Sequence, residues 1–123
     1  MTEETRPDEK PRRKDIPRDV QPYFIALIIR GDRWNDTAGE GAENLVPRQL
    51  AFIREQVEAG RYMLAGPITG EGPLVGISII SAGSAAEALK IAEADPGVRS
   101  GHLRVEIHPA YLPSLRDLKV SYS

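Results

Sequence analysis

Tyr23-Phe24-Ile25-Ala26-Leu27-Ile28-Ile29-Arg30 limits the architecture of this chain more than any other segment. It is rich in β-branched and aromatic residues and too short for a free-standing helix, so it predicts a strand. Apolar residues occupy both parities, and a strand of that kind needs cover on both faces. The first strand is therefore expected at the centre of a sheet, not at its edge.

Beyond Arg30 the chain alternates turn formers with further elements. Gly31 to Asn44 holds Gly31, Asp32, Asn35, Asp36, Gly39 and Gly41, a loop long enough to suggest a lid or a binding segment, and it carries the only tryptophan, Trp34. Pro47, then Leu50, Ile53 and Val57 at helical spacing, then Gly60, predict a helix over Pro47 to Ala59 with Arg48, Glu55 and Glu58 outward. Arg61 to Ile68 and Leu74 to Ser81 read as antiparallel strands joined by Thr69-Gly70-Glu71-Gly72-Pro73. Ser84 and Glu87 have capping-box spacing and open a second helix, with Ala85, Ala88, Leu89 and Ala92 as its inward stripe. Asp95-Pro96-Gly97 stops it. From His102 to His108 the pattern alternates, with Leu103, Val105 and Ile107 on one face and His102, Arg104, Glu106 and His108 on the other.

The order strand, helix, strand, strand, helix, strand predicts an α+β ferredoxin-like βαββαβ fold: a four-stranded antiparallel sheet with two helices on one face. Its other face, built from Phe24, Ala26 and Ile28 or from their opposite-parity neighbours, would meet water. Two such sheets packed face to face solve this, so a homodimeric α/β barrel is expected. The domain is read as residues 23–111. Residues 1–22 carry six basic and six acidic side chains and four of the ten prolines, a composition expected to remain a disordered arm. Residues 112–123 hold Leu112, Leu115, Leu118, Val120 and Tyr122 and should pack on the domain or on a partner subunit.

Composition narrows the chemistry. The 123 residues contain no cysteine, two histidines and a net charge of -2. A disulfide framework, a thiol nucleophile and a zinc finger are excluded, and a cytoplasmic setting is the default expectation. The balanced charge argues against nucleic acid, and the lack of a long apolar run argues against a membrane partner. His102 and His108 lie six residues apart, about 20 Å along a straight strand, so no metal site and no cofactor is expected.

Arg48-Gln49-Leu50-Ala51-Phe52-Ile53, Gly60 to Ile68, Gly76-Ile77-Ser78-Ile79-Ile80, Ala94-Asp95-Pro96-Gly97-Val98-Arg99-Ser100-Gly101 and Val105-Glu106-Ile107-His108-Pro109 succeed one another in an order that resembles the YCII-related family, over roughly Tyr23 to Tyr111. The resemblance implies a dimeric ferredoxin-like barrel related to muconolactone isomerases and small antibiotic-biosynthesis-type monooxygenases. It also implies lyase-like activity in some members, including a dehydrochlorinase on a chlorinated hydroxyquinol. It implies a catalytic histidine early in the first helix and a catalytic aspartate in the Asp-Pro turn. Asp95 matches the aspartate, whereas Gln49 stands at the histidine position, and glutamine forms hydrogen bonds without exchanging a proton.

Each candidate residue has a plain alternative beside its functional role. Asp95 is a catalytic acid or base, or an Asx-turn aspartate bonded to its own backbone. His102 is the imidazole that Gln49 does not supply, or a hydrogen-bonded histidine of the strand. Gln49 orients a substrate. Arg104, with Glu106 on the same face, holds a carboxylate or phenolate, or forms a salt bridge across or within the subunit interface. Trp34 stacks on a planar ring or is simply buried, and Gly66-Pro67 lines a pocket mouth or shapes a turn. Together they describe a small enzyme moving protons on a ring or enol metabolite, anionic or aromatic. A non-catalytic dimeric binding or accessory domain and a cofactor-independent oxygenase remain as alternatives.

Overall fold

A computed structural model describes residues 19–39 and 41–121. Its seven elements are, in chain order, β1 (Val20–Arg30), α1 (Leu45–Glu58), β2 (Tyr62–Pro67), β3 (Leu74–Ile80), α2 (Ala85–Glu93), the single turn α3 (Pro96–Arg99) and β4 (Leu103–Pro113). The strands form one antiparallel sheet in the order β2-β3-β1-β4, which is the ferredoxin-like arrangement. β1 lies between β3 and β4, the central position its doubly apolar sequence requires.

The core shows which parity faces the helices. Ala26, Tyr62 and Ile80 of the sheet and Ala88 and Ala92 of α2 are buried together, with Phe24, Ile28, Val105, Ile107 and the α1 residues Phe52, Ile53 and Val57 packed around them. Both long helices thus cover the Phe24, Ala26 and Ile28 face. Alanines at 88 and 92 let α2 lie close to the sheet. Ile25, Leu27 and Ile29 point the other way, aligned with Ile79 and Ile77 of β3 and with His108, Glu106 and Arg104 of β4.

Several boundaries differ from those read in the sequence, each for a local reason. β1 begins at Val20, not Tyr23, because β4 runs on to Pro113 and Val20–Tyr23 pair with Ala110–Pro113. The polar composition of this stretch hid a strand whose hydrogen bonds come from its partner. Residues 1–18, most of the expected arm, lie outside the described residues, as do residues 122 and 123. The segment after β4 turns back on its own domain, where the Leu115 amide donates to the Tyr23 hydroxyl at 2.8 Å.

In α1 the inward stripe is Phe52, Ile53 and Val57, while Leu50 is 48% exposed. In α2 Ala85 faces solvent and Ile91 takes a place against the core. The cap of α2 forms with one shift: Ser84 Oγ accepts from the Glu87 amide at 3.1 Å, but the Glu87 carboxylate accepts from Gly83, not from Ser84.

The chain leaves β1 through Gly31, whose amide donates to the His102 carbonyl at 2.9 Å. A Cβ at Gly31 would collide with the Gly101 carbonyl oxygen and lie 3.0 Å from the His102 carbonyl carbon. Only glycine allows the two backbones to approach so closely. Gly31→Ala is expected to lower stability by about 1–3 kcal/mol, whereas Gly70→Ala, with nothing within 4 Å of the added atom, should change it by less than about 0.5 kcal/mol. Urea unfolding of the two variants measures the contrast.

Candidate functional site

The turn after α2 places the first functional side chain. Pro96 keeps Asp95 out of the helical region, at φ -57° and ψ 129°, and one carboxylate oxygen, Oδ1, accepts from the Gly97 amide at 2.7 Å to cap α3. Oδ2 remains for another partner. The Gln49 side chain on α1 donates to it through Nε2 at 3.2 Å, so the Asx-turn role and the pairing with Gln49 coexist in one side chain.

Asp95 is only 4% exposed. Burial pushes its pKa above the usual carboxylate value, while the Gly97 amide, the Gln49 side chain and the Val98 amide pull the other way without cancelling it. The result is a carboxyl group that holds its proton more tightly than an exposed aspartate, without being stripped of hydrogen bonds.

Around this pair lies an open cavity of about 520 Å3 between α1 and the helix-covered face of the sheet. Its walls are mainly apolar, from residues such as Ile28, Ile53, Ala65 and Leu103, and Gly66, Pro67 and Trp34 also line it. Gln49, Leu50, Ile53 and Arg54 all face it from α1, which explains why Leu50 is left out of the core.

Two hydroxyl groups complete the polar set. Tyr62 is 3% exposed and meets Phe52 edge-on, with ring centroids 5.9 Å apart. Burial, and secondarily the Asp95 charge, raise its pKa, with Ser78 opposing them. The Tyr62 phenol therefore stays protonated at neutral pH. Ser78 Oγ is buried and has no well-formed hydrogen bond.

Of the residues singled out from sequence, Gln49, Asp95, Trp34, Gly66 and Pro67 meet at this cavity. Trp34 is 37% exposed, and the Arg30 guanidinium sits 5.1 Å from its ring centroid. His102 and Arg104 are not brought to it. Gly101, with φ 84°, turns the chain before the sheet resumes, and β4 starts only at Leu103, so His102 escapes the strand parity assumed for it. His102 is buried, with Nε2 2.9 Å from the Asp36 carbonyl and Nδ1 2.6 Å from Ser100 Oγ. Since a carbonyl only accepts, Nε2 carries a proton, and the ring ties the Gly31–Gly39 segment to the end of α3.

That segment is well braced. Arg33 pairs with Asp36 at 2.9 Å and donates to the Ser100 carbonyl. The Arg33 side chain and the Ala38 and Gly39 amides hold the Asp36 pKa below its usual value.

Arg104 is exposed on the face opposite the cavity's helices, with Nε 3.4 Å from the Arg30 carbonyl. It makes no salt bridge to Glu106 among the described residues; Glu106 instead lies 3.5 Å from His108 Nε2, both exposed. No three histidine, aspartate or glutamate side chains converge on a potential metal position among the described residues, and no helix there is long and apolar enough to cross a membrane.

The sequence reading missed Arg54, Tyr62 and Ser78. Arg54 had one signal, its place four residues beyond Leu50 and hence on the same side of α1.

Fold and site together define a ferredoxin-like α+β domain with a buried carboxyl group at an apolar cavity. The sequence model of the YCII-related domain matches residues 25–110, and the chain belongs to that family. No curated protein matches the chain. Among solved structures, 5-chloro-2-hydroxyhydroquinone dehydrochlorinase from Burkholderia phenoliruptrix AC1100, in complex with 2,5-dihydroxybenzoquinone, is similar at 18% identity and a TM-score of 0.49, covering 72% of this chain and 91% of that chain.

The raised pKa of Asp95 has a consequence for stability. The folded state binds this proton more tightly than the unfolded state. The penalty for burying the carboxylate is therefore absent below the unfolded pKa, grows as pH rises towards the folded pKa and stays constant above it. Asparagine keeps the cap oxygen and carries no charge. Asp95→Asn should therefore melt at or above the wild-type Tm at pH 7, with any advantage shrinking as pH falls to about 3.5; calorimetry across that range checks the trend.

Proposed function

We propose that this chain transfers a proton on a small ring or enol-type metabolite held in the cavity, as a lyase or isomerase, with Asp95 as the acid-base group. The observation that carries this reading is a buried carboxyl group with a raised pKa, paired with Gln49 at the wall of an apolar cavity. An exposed aspartate is too weak a base to take a carbon-bound proton near neutral pH, and desolvation moves it towards usefulness.

The proposed cycle uses only this chain's groups. The Asp95 carboxylate takes a proton from the carbon next to a carbonyl, and the electron pair of that bond moves to the carbonyl oxygen as an enolate. The Tyr62 phenol, still protonated at this pH, is suited to donate to that oxygen. Asp95 then returns the proton to a second carbon, giving the isomer. In the lyase variant the enolate pair expels a leaving group from the adjacent carbon, and Asp95 loses its proton to water.

Gln49 has a defined part in this reading. Its amide holds one carboxylate oxygen in place and cannot itself take up a proton. Where the family resemblance puts a histidine, Asp95 here carries the transfer alone. That same substitution favours the second reading, a non-catalytic binding domain.

A panel of lactones and halogenated hydroxyquinones separates the two. Asp95→Asn should reduce kcat by about 10²-fold or more, and the acid limb of the wild-type kcat/KM profile should lie above the usual carboxylate range, with activity lost as pH falls through it. Gln49→His should raise turnover and add a limb near pH 6.5. Turnover indifferent to Asp95→Asn removes Asp95 from the mechanism, and no turnover across the panel by wild type or Gln49→His leaves the binding reading.

We further infer a homodimer joined through the sheet face that bears Ile25, Leu27, Ile29, Ile77 and Ile79, since both long helices lie on the opposite face. Light scattering after size exclusion should give twice the 13.5 kDa chain mass at micromolar concentration. A species of single-chain mass would overturn it.

A further inference from the structure

The polar groups of the cavity divide into two kinds. Gln49 and Asp95 satisfy each other. Ser78 meets only the Tyr62 phenol, without a well-formed bond, and Arg54 meets nothing among the described residues. The Arg54 guanidinium has no hydrogen bond or ion pair among the described residues, although it lines the cavity from α1 and is the one cationic residue that does so there. Ser78 Oγ is buried in the wall without a well-formed partner, an arrangement that costs about 1–3 kcal/mol unless something restores the bond.

These two unmet groups specify opposite ends of a guest. A guanidinium with its donors free favours a planar anion, taken bidentately. An uncharged serine hydroxyl, with the protonated Tyr62 phenol nearby, favours a neutral hydroxyl or carbonyl oxygen. Between them the walls are apolar, and Trp34 offers a ring face, steadied by Arg30. Charge selection at the cavity thus falls to a helix residue; Arg104, the arginine suggested by strand parity, lies elsewhere.

We propose that the cavity selects monoanionic, flat molecules that carry a hydroxyl or carbonyl oxygen away from the anionic group, with Arg54 as the residue that determines charge preference and Ser78 as the partner of the neutral oxygen. The inference rests on the cavity being the functional site and adds the class of ligand. Asp95 is not required for this recognition, because its oxygens are already bound to Gly97 and Gln49.

The test uses the full chain at pH 7 and three probes: 4-hydroxybenzoate, its neutral amide 4-hydroxybenzamide, and benzoate. Calorimetric titration, with amide shifts of Gly76 and Ile77 to locate binding, should show 4-hydroxybenzoate binding about tenfold more tightly than the amide. Arg54→Gln should bring that ratio to within about twofold while leaving the melting temperature unchanged, because Arg54 is exposed and makes no ion pair among the described residues. Ser78→Ala, which removes a buried unsatisfied group, should fold at least as well and should erase the advantage of 4-hydroxybenzoate over benzoate.

The proposal is overturned if the amide binds as well as the acid, if Arg54→Gln keeps the preference, or if no probe binds at millimolar concentration. Asp95→Asn should retain the charge preference. If Arg54→Gln also retains it while Asp95→Asn abolishes turnover, the ligand class is wrong and the catalytic reading stands. If the charge preference holds and depends on Arg54 but Asp95→Asn turns over normally, the ligand class stands and the catalytic reading is wrong.

Discussion

The two oxygens of the Asp95 carboxylate hold together parts of the chain that are distant in sequence. One caps the turn that comes after α2, through the Gly97 amide, and the other receives the Gln49 side chain from α1. α1 and α2 are separated by a whole β-hairpin, so this contact helps fix how the first helix sits relative to the end of the second. The cavity lies along α1, and its shape therefore depends on a carboxyl group that also has the chemistry to act inside it. Replacing Asp95 by a residue without an acceptor would leave the Gly97 amide and the Gln49 side chain unmatched together. Asparagine is the informative change because it keeps the cap oxygen and removes the ionisable group, and its amide nitrogen can still pair with Gln49 once that side-chain amide flips.

The sheet divides its labour between its faces. The Phe24, Ala26 and Ile28 face carries α1, α2 and the cavity, and the opposite face presents isoleucine and leucine beside Arg104, Glu106 and His108. Arg104 belongs to that face. A strand alternating apolar and charged residues marks two environments in sequence, but it does not show which of them carries the helices and the cavity.

Much of the fold was legible because it depends on patterns short in sequence. The doubly apolar β1 implied a central strand, the alternation from Leu103 implied a half-covered one, and Ser84 with Glu87 marked the start of α2. Asp95 could be read too, since Asp-Pro-Gly carries its own local geometry. The features that escaped depended on relations between elements. His102 was assigned to the wrong environment because the left-handed Gly101 precedes it and takes it out of the strand parity. Val20–Pro22 looked like part of a polar arm because their partners, Tyr111–Pro113 of β4, come at the far end of the domain and are apolar only in part. The helical period put Leu50 in the core and Arg54 on the same side of α1, but what that side faces depended on the position of α1 over the sheet. Ser78 is one polar residue in an otherwise apolar strand, and nothing local in sequence shows that its hydroxyl is buried without a well-formed hydrogen bond.

The distribution of energetic cost points to the same place. In the body of the core Ala26, Ile80, Ala88 and Ala92 are fully covered, and the buried Gln56 side chain accepts from Arg61 Nε at 2.6 Å. At the cavity the rules are relaxed: a carboxyl group is buried against its preference, a buried serine hydroxyl has no well-formed hydrogen bond, a leucine is left 48% exposed and an arginine has no carboxylate partner among the described residues. Each departure is of the order of 1 kcal/mol, and several together are a substantial fraction of the net stability of a small domain. A chain selected only to fold would have repaired them with an alanine at 78 or an asparagine at 95, both available by conservative substitution. The buried carboxyl group and the buried serine hydroxyl both lie at the cavity, where a bound molecule can offer each of them a partner.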